Sequence, residues 1–270
     1  MDITALKAVY FSPTGTSRGI IAGIARGIGH RATEEVDITR PEGRKRSLAL
    51  SANELLLIGV PVYFGRVQTT ALEWLDTIEA RDTPTVCVVV YGNRDYDDAL
   101  LELKETMVKR GCRPIAGAAY IGEHSFSRPE TPIAVGRPDA DDLRHAEAFG
   151  EKIRQKIAVL PEGFGGADLS LPGNHPYVDM AEGRSSLATG DSIAVGGGCL
   201  QCGECARLCP VGAIDLEQGA AVDREKCILC LACLKNCPAQ ARTVQSELLK
   251  EIALWLSESF RGRKEPAIFW

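Results

Sequence analysis

Along the first 158 residues, short apolar runs alternate with stretches in which apolar side chains recur every three or four positions. The runs 6–11 (LKAVYF), 54–61 (ELLLIGVP), 84–91 (PTVCVVVY) and 113–121 (RPIAGAAYI) are β-rich and bounded by Gly, Pro or charge, which predicts largely buried strands. A weaker strand is predicted over 32–38 (ATEEVDI). Between them, 17–29, 69–80 and 97–110 carry apolar residues at helical spacing, and Asp139 to Val159 reads as a fourth helix after an Asp-rich start. Such alternation predicts an α/β fold, a parallel sheet with helices on both faces. From Pro161 to Gly198 the pattern dissolves into Gly- and Pro-rich sequence, which predicts a long connection between two domains. Further on, 242–261 (RTVQSELLKEIALWLSESFR) repeats Leu, Ile and Trp at helical intervals, predicting an amphipathic helix, and AIFW is expected to dock against the body of the protein.

Composition sharpens this picture. A chain of 270 residues corresponds to about two domains at ~150 residues each, and 45% apolar with 25% charged residues excludes disorder, collagen and coiled coil. The longest apolar stretch, LLLIGVPVYF, has 10 residues against the ~20 needed to cross a bilayer, and the start MDITALK lacks an apolar secretory core. The expectation is a soluble cytoplasmic protein. A net charge of -5, from 31 basic and 36 acidic residues, argues against a nucleic-acid partner.

Eight of the ten cysteines fall between positions 199 and 237. They form two blocks, CLQCGECARLCP and CILCLACLKNCP, each C-x2-C-x2-C-x3-C-P and offset by 28 residues. A reducing cytosol argues against a disulfide framework. Three thiolates spaced three apart can cap one corner of an iron-sulfur cubane, while the fourth, followed by Pro, leaves on a chain turning into a helix. Structural zinc is the alternative, but it favours two cysteine pairs and requires neither a third cysteine at the same step nor a prolyl exit. Gly198 to Arg242 resembles bacterial-type two-cluster ferredoxins, with PVGAID after Cys209 matching their continuation and PAQART after Cys237 departing from it. The resemblance implies crosswise ligation of two [4Fe-4S] clusters. Cys199, Cys202, Cys205 and Cys237 would hold one, and Cys227, Cys230, Cys233 and Cys209 the other. Cys87 and Cys112 are assigned no role.

The first strand runs into FSPTGTSRG, a hydroxyl- and glycine-rich turn that opens a helix. The hydroxyls of Ser12, Thr14, Thr16 and Ser17, with backbone N–H groups and a close approach at Gly15, can surround a phosphate. The loop is neither G-x-x-x-x-G-K-[ST] nor G-x-G-x-x-G, so a terminal phosphate monoester such as that of FMN suits it better than a nucleoside triphosphate or a dinucleotide. A plain hydroxyl-rich helix cap is the alternative. Two more loops leave strand ends where open parallel sheets bind ligands. PVYFGR supplies Pro61, Val62, Tyr63, Phe64 and Gly65, and YGNRDYDD supplies Tyr91, Gly92, Asn93, Tyr96 and Asp97. Tyr63, Phe64, Tyr91 and Tyr96 are candidates to stack on a flavin ring. His124, in GEHSFS, either faces the same site or is hydrogen-bonded locally.

The [ST]-x-T-G-x-[ST] loop resembles that of flavodoxins, with Ser12, Thr14, Gly15 and Ser17 on matching positions and Thr16 where many flavodoxins have Asn. The order of parts, including PVYFGRVQTTALEWL, YGNRDYDDALLEL and IGEHSFSRPETP, is similar to flavodoxin-ferredoxin fusion proteins of anaerobic bacteria and archaea. That resemblance implies a doubly wound five-stranded sheet of order 2-1-3-4-5 with FMN at the tips of strands 1 and 3. It divides the chain into a flavodoxin-like unit over 1–160, a linker over 161–197, an α+β ferredoxin domain over 198–242 and a closing helix and tail over 243–270. The function expected is electron transfer between two [4Fe-4S] clusters and FMN, with a redox protein as donor or acceptor. The alternative is an FMN-dependent reductase of a small acceptor, such as a quinone, a corrinoid or an unsaturated acid, fed through the clusters. No NAD(P)H fingerprint is present, and the oligomeric state, a homodimer included, is left open.

Overall fold

The computed structural model describes residues 1–161, 169–179 and 192–270. The predicted alternation is realised as β1 (Ala5–Tyr10), α1 (Thr16–Ile28), β2 (Thr33–Asp37), β3 (Glu54–Tyr63), α2 (Thr69–Leu75), β4 (Thr83–Tyr91), α3 (Ala99–Lys109), β5 (Cys112–Ile121) and α4 (Ala140–Val159). Strands β1 to β5 are parallel in the order 2-1-3-4-5. This is the flavodoxin-like order. A two-residue strand, Arg66–Val67, folds back on the end of β3.

Period-two alternation assigns each face of the sheet its own core. Val9, Ile58, Cys87 and Ala119 pack with Leu75, Leu100 and Leu103 on the α2 and α3 side. Leu6, Leu57, Val88 and Tyr120 face Ile20, Ile24, Phe149 and Ile153 of α1 and α4. Each fully buried Ile or Leu contributes ~1.5–3 kcal/mol relative to exposure. Helices α1 and α4 approach closely because Gly27 and Gly150 meet at their crossing. A Cβ on Gly27 would lie 1.9 Å from the Glu147 carbonyl oxygen. Helix α4 starts on a capping box in which the Asp139 carboxylate accepts the N–H of Asp142 and the Asp142 carboxylate accepts that of Asp139.

Residues 192–244 form a smaller unit. It contains β6 (Ile193–Val195), α5 (Glu204–Leu208), α6 (Ala232–Lys235) and β7 (Arg242–Val244). β6 pairs antiparallel with β7, and Ile214–Asp215 pairs with Ala221–Val222. Then follow α7 (Glu247–Ser259), whose first turn is capped by the Ser246 hydroxyl, and β8 (Ala267–Phe269).

Three features differ from expectation. The closing helix does not begin at 242, because Arg242–Val244 is drawn into a strand by its pairing with β6; Ile193–Val195 is thereby a strand of the cysteine unit, although it lies within the expected 161–197 linker. Helix α2 stops at Leu75, since Glu79–Ala80 pairs with Ala49–Leu50. The sheet has a sixth strand on its main path, where β8 runs antiparallel along β5. Phe269 thus completes a row of Val36, Val9, Ile58, Cys87 and Gly117. Within the expected linker, 162–168 and 180–191 lie outside the described residues. Residues 169–179 lie over α3, with Leu169 and Leu171 buried in the core and the Asp98 carboxylate accepting the N–H groups of Asn174 (2.8 Å) and Val178 (2.6 Å).

Candidate functional site

The loops that leave β1, β3, β4 and β5 at their carboxyl ends enclose a cavity of about 330 Å³, within the ~300–1,000 Å³ range of small-molecule sites. Thr14 and Thr16 line it from the first loop, Pro61, Val62, Tyr63, Phe64 and Gly65 from the second, Tyr91 and Gly92 from the third, and His124 from the fourth. Ten of the sixteen residues proposed from sequence therefore meet here. Of the others, Ser12 and Gly15 stand in the first loop, Ser17 in the first turn of α1, and three in the loop after β4.

The start of α1 has the chemistry of an anion cradle. Gly15 occupies the cap position at φ 87° and offers no side chain to the helix N–H groups. A Cβ built on it meets no atom within 4 Å, so the space over the helix start is open. Ser17 is fully buried and its Oγ has no hydrogen-bond partner among the described residues. Ser12 is engaged within the loop, its Oγ accepting the Arg18 N–H (3.0 Å) and its own N–H bonding Thr39 Oγ1 (2.9 Å). An orphaned buried hydroxyl, the amides of Thr16 and Ser17 ahead of the one that Ser12 caps, and open space fit a phosphate monoester.

Three residues proposed from the loop after β4 do not line the cavity and make contacts within the protein. Buried Asn93 donates through Nδ2 to the carbonyls of Phe260 (2.6 Å) and Gly262 (3.0 Å), tying that loop to the segment after α7. Tyr96 packs against the core with its ring edge toward Tyr91, at a centroid distance of 5.4 Å. Asp97 pairs with Arg94 and lies against Gly65, where a Cβ would come within 2.5 Å of its carboxylate. Of the aromatics proposed from sequence, Tyr63, Phe64 and Tyr91 line the cavity, joined by Phe126 and by Trp255. Burial, with Asp95 and Tyr96 nearby, pushes the Tyr91 hydroxyl up to about 12.

His124 is held over Gly92; a Cβ there would come within 2.1 Å of the imidazole Cδ2. Burial, assisted by the positive charges of Lys235 and Arg94, lowers its pKa to about 4, so the ring is neutral near pH 7. Its Nδ1 accepts the Phe126 N–H (3.0 Å), which leaves the proton on Nε2.

The sequence reading missed the far wall. Ile252, Trp255 and Leu256 of α7, with Ile228 and Leu229 of the second cysteine block, close the cavity. A Trp on the helix was the available signal, but helical periodicity alone places it on a face, not over a particular site.

The cysteines divide into two sets of four. Cys209, Cys227, Cys230 and Cys233 ring one cavity, and Cys199, Cys202, Cys205 and Cys237 ring another. Among the described residues, no three Cys, His, Asp or Glu side chains converge as a single metal ion requires. The two blocks repeat one contact, since Ala213 N–H donates to Cys209 Sγ (3.2 Å) and Ala241 N–H to Cys237 Sγ (3.3 Å). Soft sulfur ligands in fours around a void have the donor chemistry of iron-sulfur clusters. The first set is closer to the flavodoxin-like sheet. Burial pushes the Tyr63 hydroxyl well above its ordinary range, and Cys230 and Cys227 reinforce the shift. Cys202, in the second set, is exposed. Cys87 and Cys112 are buried in the first core. The cysteine unit is fastened to the larger one by Lys235 Nζ, which donates to Glu123 Oε1 (2.8 Å) and the His124 carbonyl (3.0 Å), and by Arg44, which donates to the Pro210 carbonyl (2.6 Å).

Comparison with known proteins bears chiefly on the cysteine blocks. The family model of the 4Fe-4S dicluster domain matches residues 198–241. A component of the ion-translocating oxidoreductase complex of Methanosarcina acetivorans is 44% identical over 45 residues, 16% of this chain and 17% of that relative. Only about a sixth of that relative's length is thus covered. Among solved structures, a flavodoxin from the domain Archaea is similar over 57% of this chain and 99% of its own, with 14% identity and a TM-score of 0.39. Flavodoxin 2 from Bacillus cereus covers 57% of this chain and 99% of its own, with 15% identity and a TM-score of 0.41. The strand order carries the fold class by itself. The chain thus joins an α/β unit of flavodoxin-like strand order to a segment that matches the 4Fe-4S dicluster domain. In order of parts, it resembles a flavodoxin-like fold followed by a ferredoxin-type 4Fe-4S domain. Among the described residues, no helix is long and apolar enough to cross a membrane.

Proposed function

We propose that this chain is an electron carrier that holds FMN in the cavity at the strand ends and one [4Fe-4S] cluster in each ring of four cysteines. When bound, a flavin exchanges one or two electrons and each cluster one, so a chain that holds all three couples paired to single electron steps. The observation that carries this reading is a shared wall. Ile228 lines both the strand-end cavity and the cavity ringed by Cys209, Cys227, Cys230 and Cys233.

The residues divide the work. Thr14, Thr16, Ser17 and the amides after Gly15 would hold the phosphate, while Tyr63, Phe64 and Tyr91 would flank the ring. His124 offers a neutral ring with its proton on Nε2, and α7 limits the access of water. Two independent anchors, at Lys235 and Arg44, fix the spacing of the units, so transfer does not depend on diffusion between them. In domain terms, residues 1–160 would serve the flavin and 198–242 the clusters, with 161–197 joining them and 243–270 closing the structure over both. A redox protein is the expected external partner.

Anaerobic purification followed by iron and flavin counts tests the reading. Eight irons and one FMN per chain are expected. Iron without any flavin released on denaturation would remove FMN from the account, and steady turnover of a quinone, a corrinoid or an unsaturated acid by the dithionite-reduced protein would move it from carrier to reductase.

A further inference from the structure

The two cysteine blocks repeat in spacing and in backbone contacts, yet at one equivalent position the first has a half-buried apolar side chain and the second a buried cation. Five residues after Cys209 stands Ile214, which lines the cavity ringed by Cys209, Cys227, Cys230 and Cys233. Five residues after Cys237 stands Arg242, which lines the other. The preceding residue makes the same N–H to sulfur bond in both blocks, so the two side chains occupy equivalent places. One cavity thus receives a hydrocarbon and the other a cation.

Arg242 is only 5% exposed. Its Nη2 donates to Cys205 Sγ (3.1 Å) and to the Ala220 carbonyl (2.8 Å), while its Nη1 is buried with no hydrogen-bond partner among the described residues. A guanidinium taken out of water in this way is costly unless negative charge faces it. A cluster held by four thiolates supplies such charge, and its negative charge grows when it accepts an electron. The buried cation and its bond to sulfur therefore favour the reduced form over the oxidised one.

We propose that Arg242 raises the reduction potential of the cluster held by Cys199, Cys202, Cys205 and Cys237 above that of its partner, so that the first electron taken up by the pair resides there. The proposal rests on the two-cluster reading above. The favoured cluster is the one with an exposed ligand, Cys202, whereas the set bordering the strand-end cavity includes buried Cys230 and Cys233. Electrons arriving from the flavin side would thus run downhill toward the surface.

The test is a reductive titration of the anaerobic full-length protein with dithionite, followed by electron paramagnetic resonance, in the parent, Arg242→Ile and Arg242→Lys. In Arg242→Ile, one of two midpoints is expected to fall by at least ~59 mV, a tenfold change in a one-electron equilibrium, with the other moving less. Arg242→Lys keeps the charge and should retain most of the parent value. Where Arg242→Ile binds fewer irons than the parent, Arg242→Gln, which keeps hydrogen-bond donors without charge, is expected to lower the same midpoint. Two unshifted midpoints in a neutral variant carrying eight irons would overturn the inference alone. Fewer than eight irons in the parent would remove the two-cluster reading and the inference with it.

Discussion

At the scale of single residues, the strand-end site depends on backbone shapes that few side chains tolerate. Gly15 sits at φ 87° above open space, and the neighbouring loops hold Phe64, Asn93 and Asp97 at positive φ. Such conformations cost ~1–3 kcal/mol each and gather where a site demands them. A Gly15→Val variant adds a β-branched side chain to the cap position and points it into the cradle. It is expected to lower flavin content at least tenfold while iron content stays at the parent value; full flavin retention would displace the phosphate from this loop. His124 offers a different probe. Its folded pKa of about 4 lies below the ordinary 6.5, so the unfolded chain binds a proton that the folded protein refuses. This contribution to stability is complete above pH 6.5 and is lost as the pH falls toward 4. Between pH ~7.5 and ~5.5, the parent should lose about 1 kcal/mol more than His124→Gln in denaturant titrations.

At the scale of elements, the sheet was legible because its strands carry their own pattern. β1, β3, β4 and β5 each start or end within two residues of the predicted bounds, since a buried parallel strand is a continuous apolar run. The pairing of Arg242–Val244 with Ile193–Val195 was not legible. Three residues have no periodicity of their own, and their partner lies some fifty positions away. The same holds for β8, where AIFW announced a docking segment but not that it would add an antiparallel strand to β5. Likewise, the loops at the first four walls of the cavity could be placed from strand ends, whereas the wall supplied by α7 comes from tertiary packing alone. The added strand brings a prediction. Removing residues 263–270 takes away the β5 pairing, the Arg263–Asp139 ion pair (2.6 Å) and the Trp270 contact with Phe149. At ~2–4 °C per kcal/mol for a unit of this size, the melting temperature should fall by roughly 5–10 °C. The bared β5 edge should also make aggregation depend on concentration, which light scattering would detect.

At the scale of the whole molecule, the two units are sustained by different means. The flavodoxin-like unit has an apolar core on each face of its sheet. The cysteine unit shares a smaller core with Phe126, Ile133 and α7, and so few apolar residues do not hold a fold of this size without help. Metal is expected to supply that help. Cys230→Ser should therefore reduce iron from about eight to about four per chain and increase proteolysis within 192–244, while flavin content and the circular dichroism of the larger unit persist. Loss of flavin in parallel with iron would show that the shared wall at Ile228 is needed to retain both.

The placement of β8 also has a temporal consequence. Residues 117–119 of β5 and 267–269 of β8 lie side by side, yet about 150 residues separate them along the chain. At ~5–20 residues per second of synthesis, roughly ten seconds or more pass between making the fifth strand and making the one that covers its edge. Both cysteine blocks emerge within that interval. The cysteine blocks are thus made while the β5 edge is still uncovered, so a chain truncated before residue 267 is expected to need chaperone protection that the full chain does not.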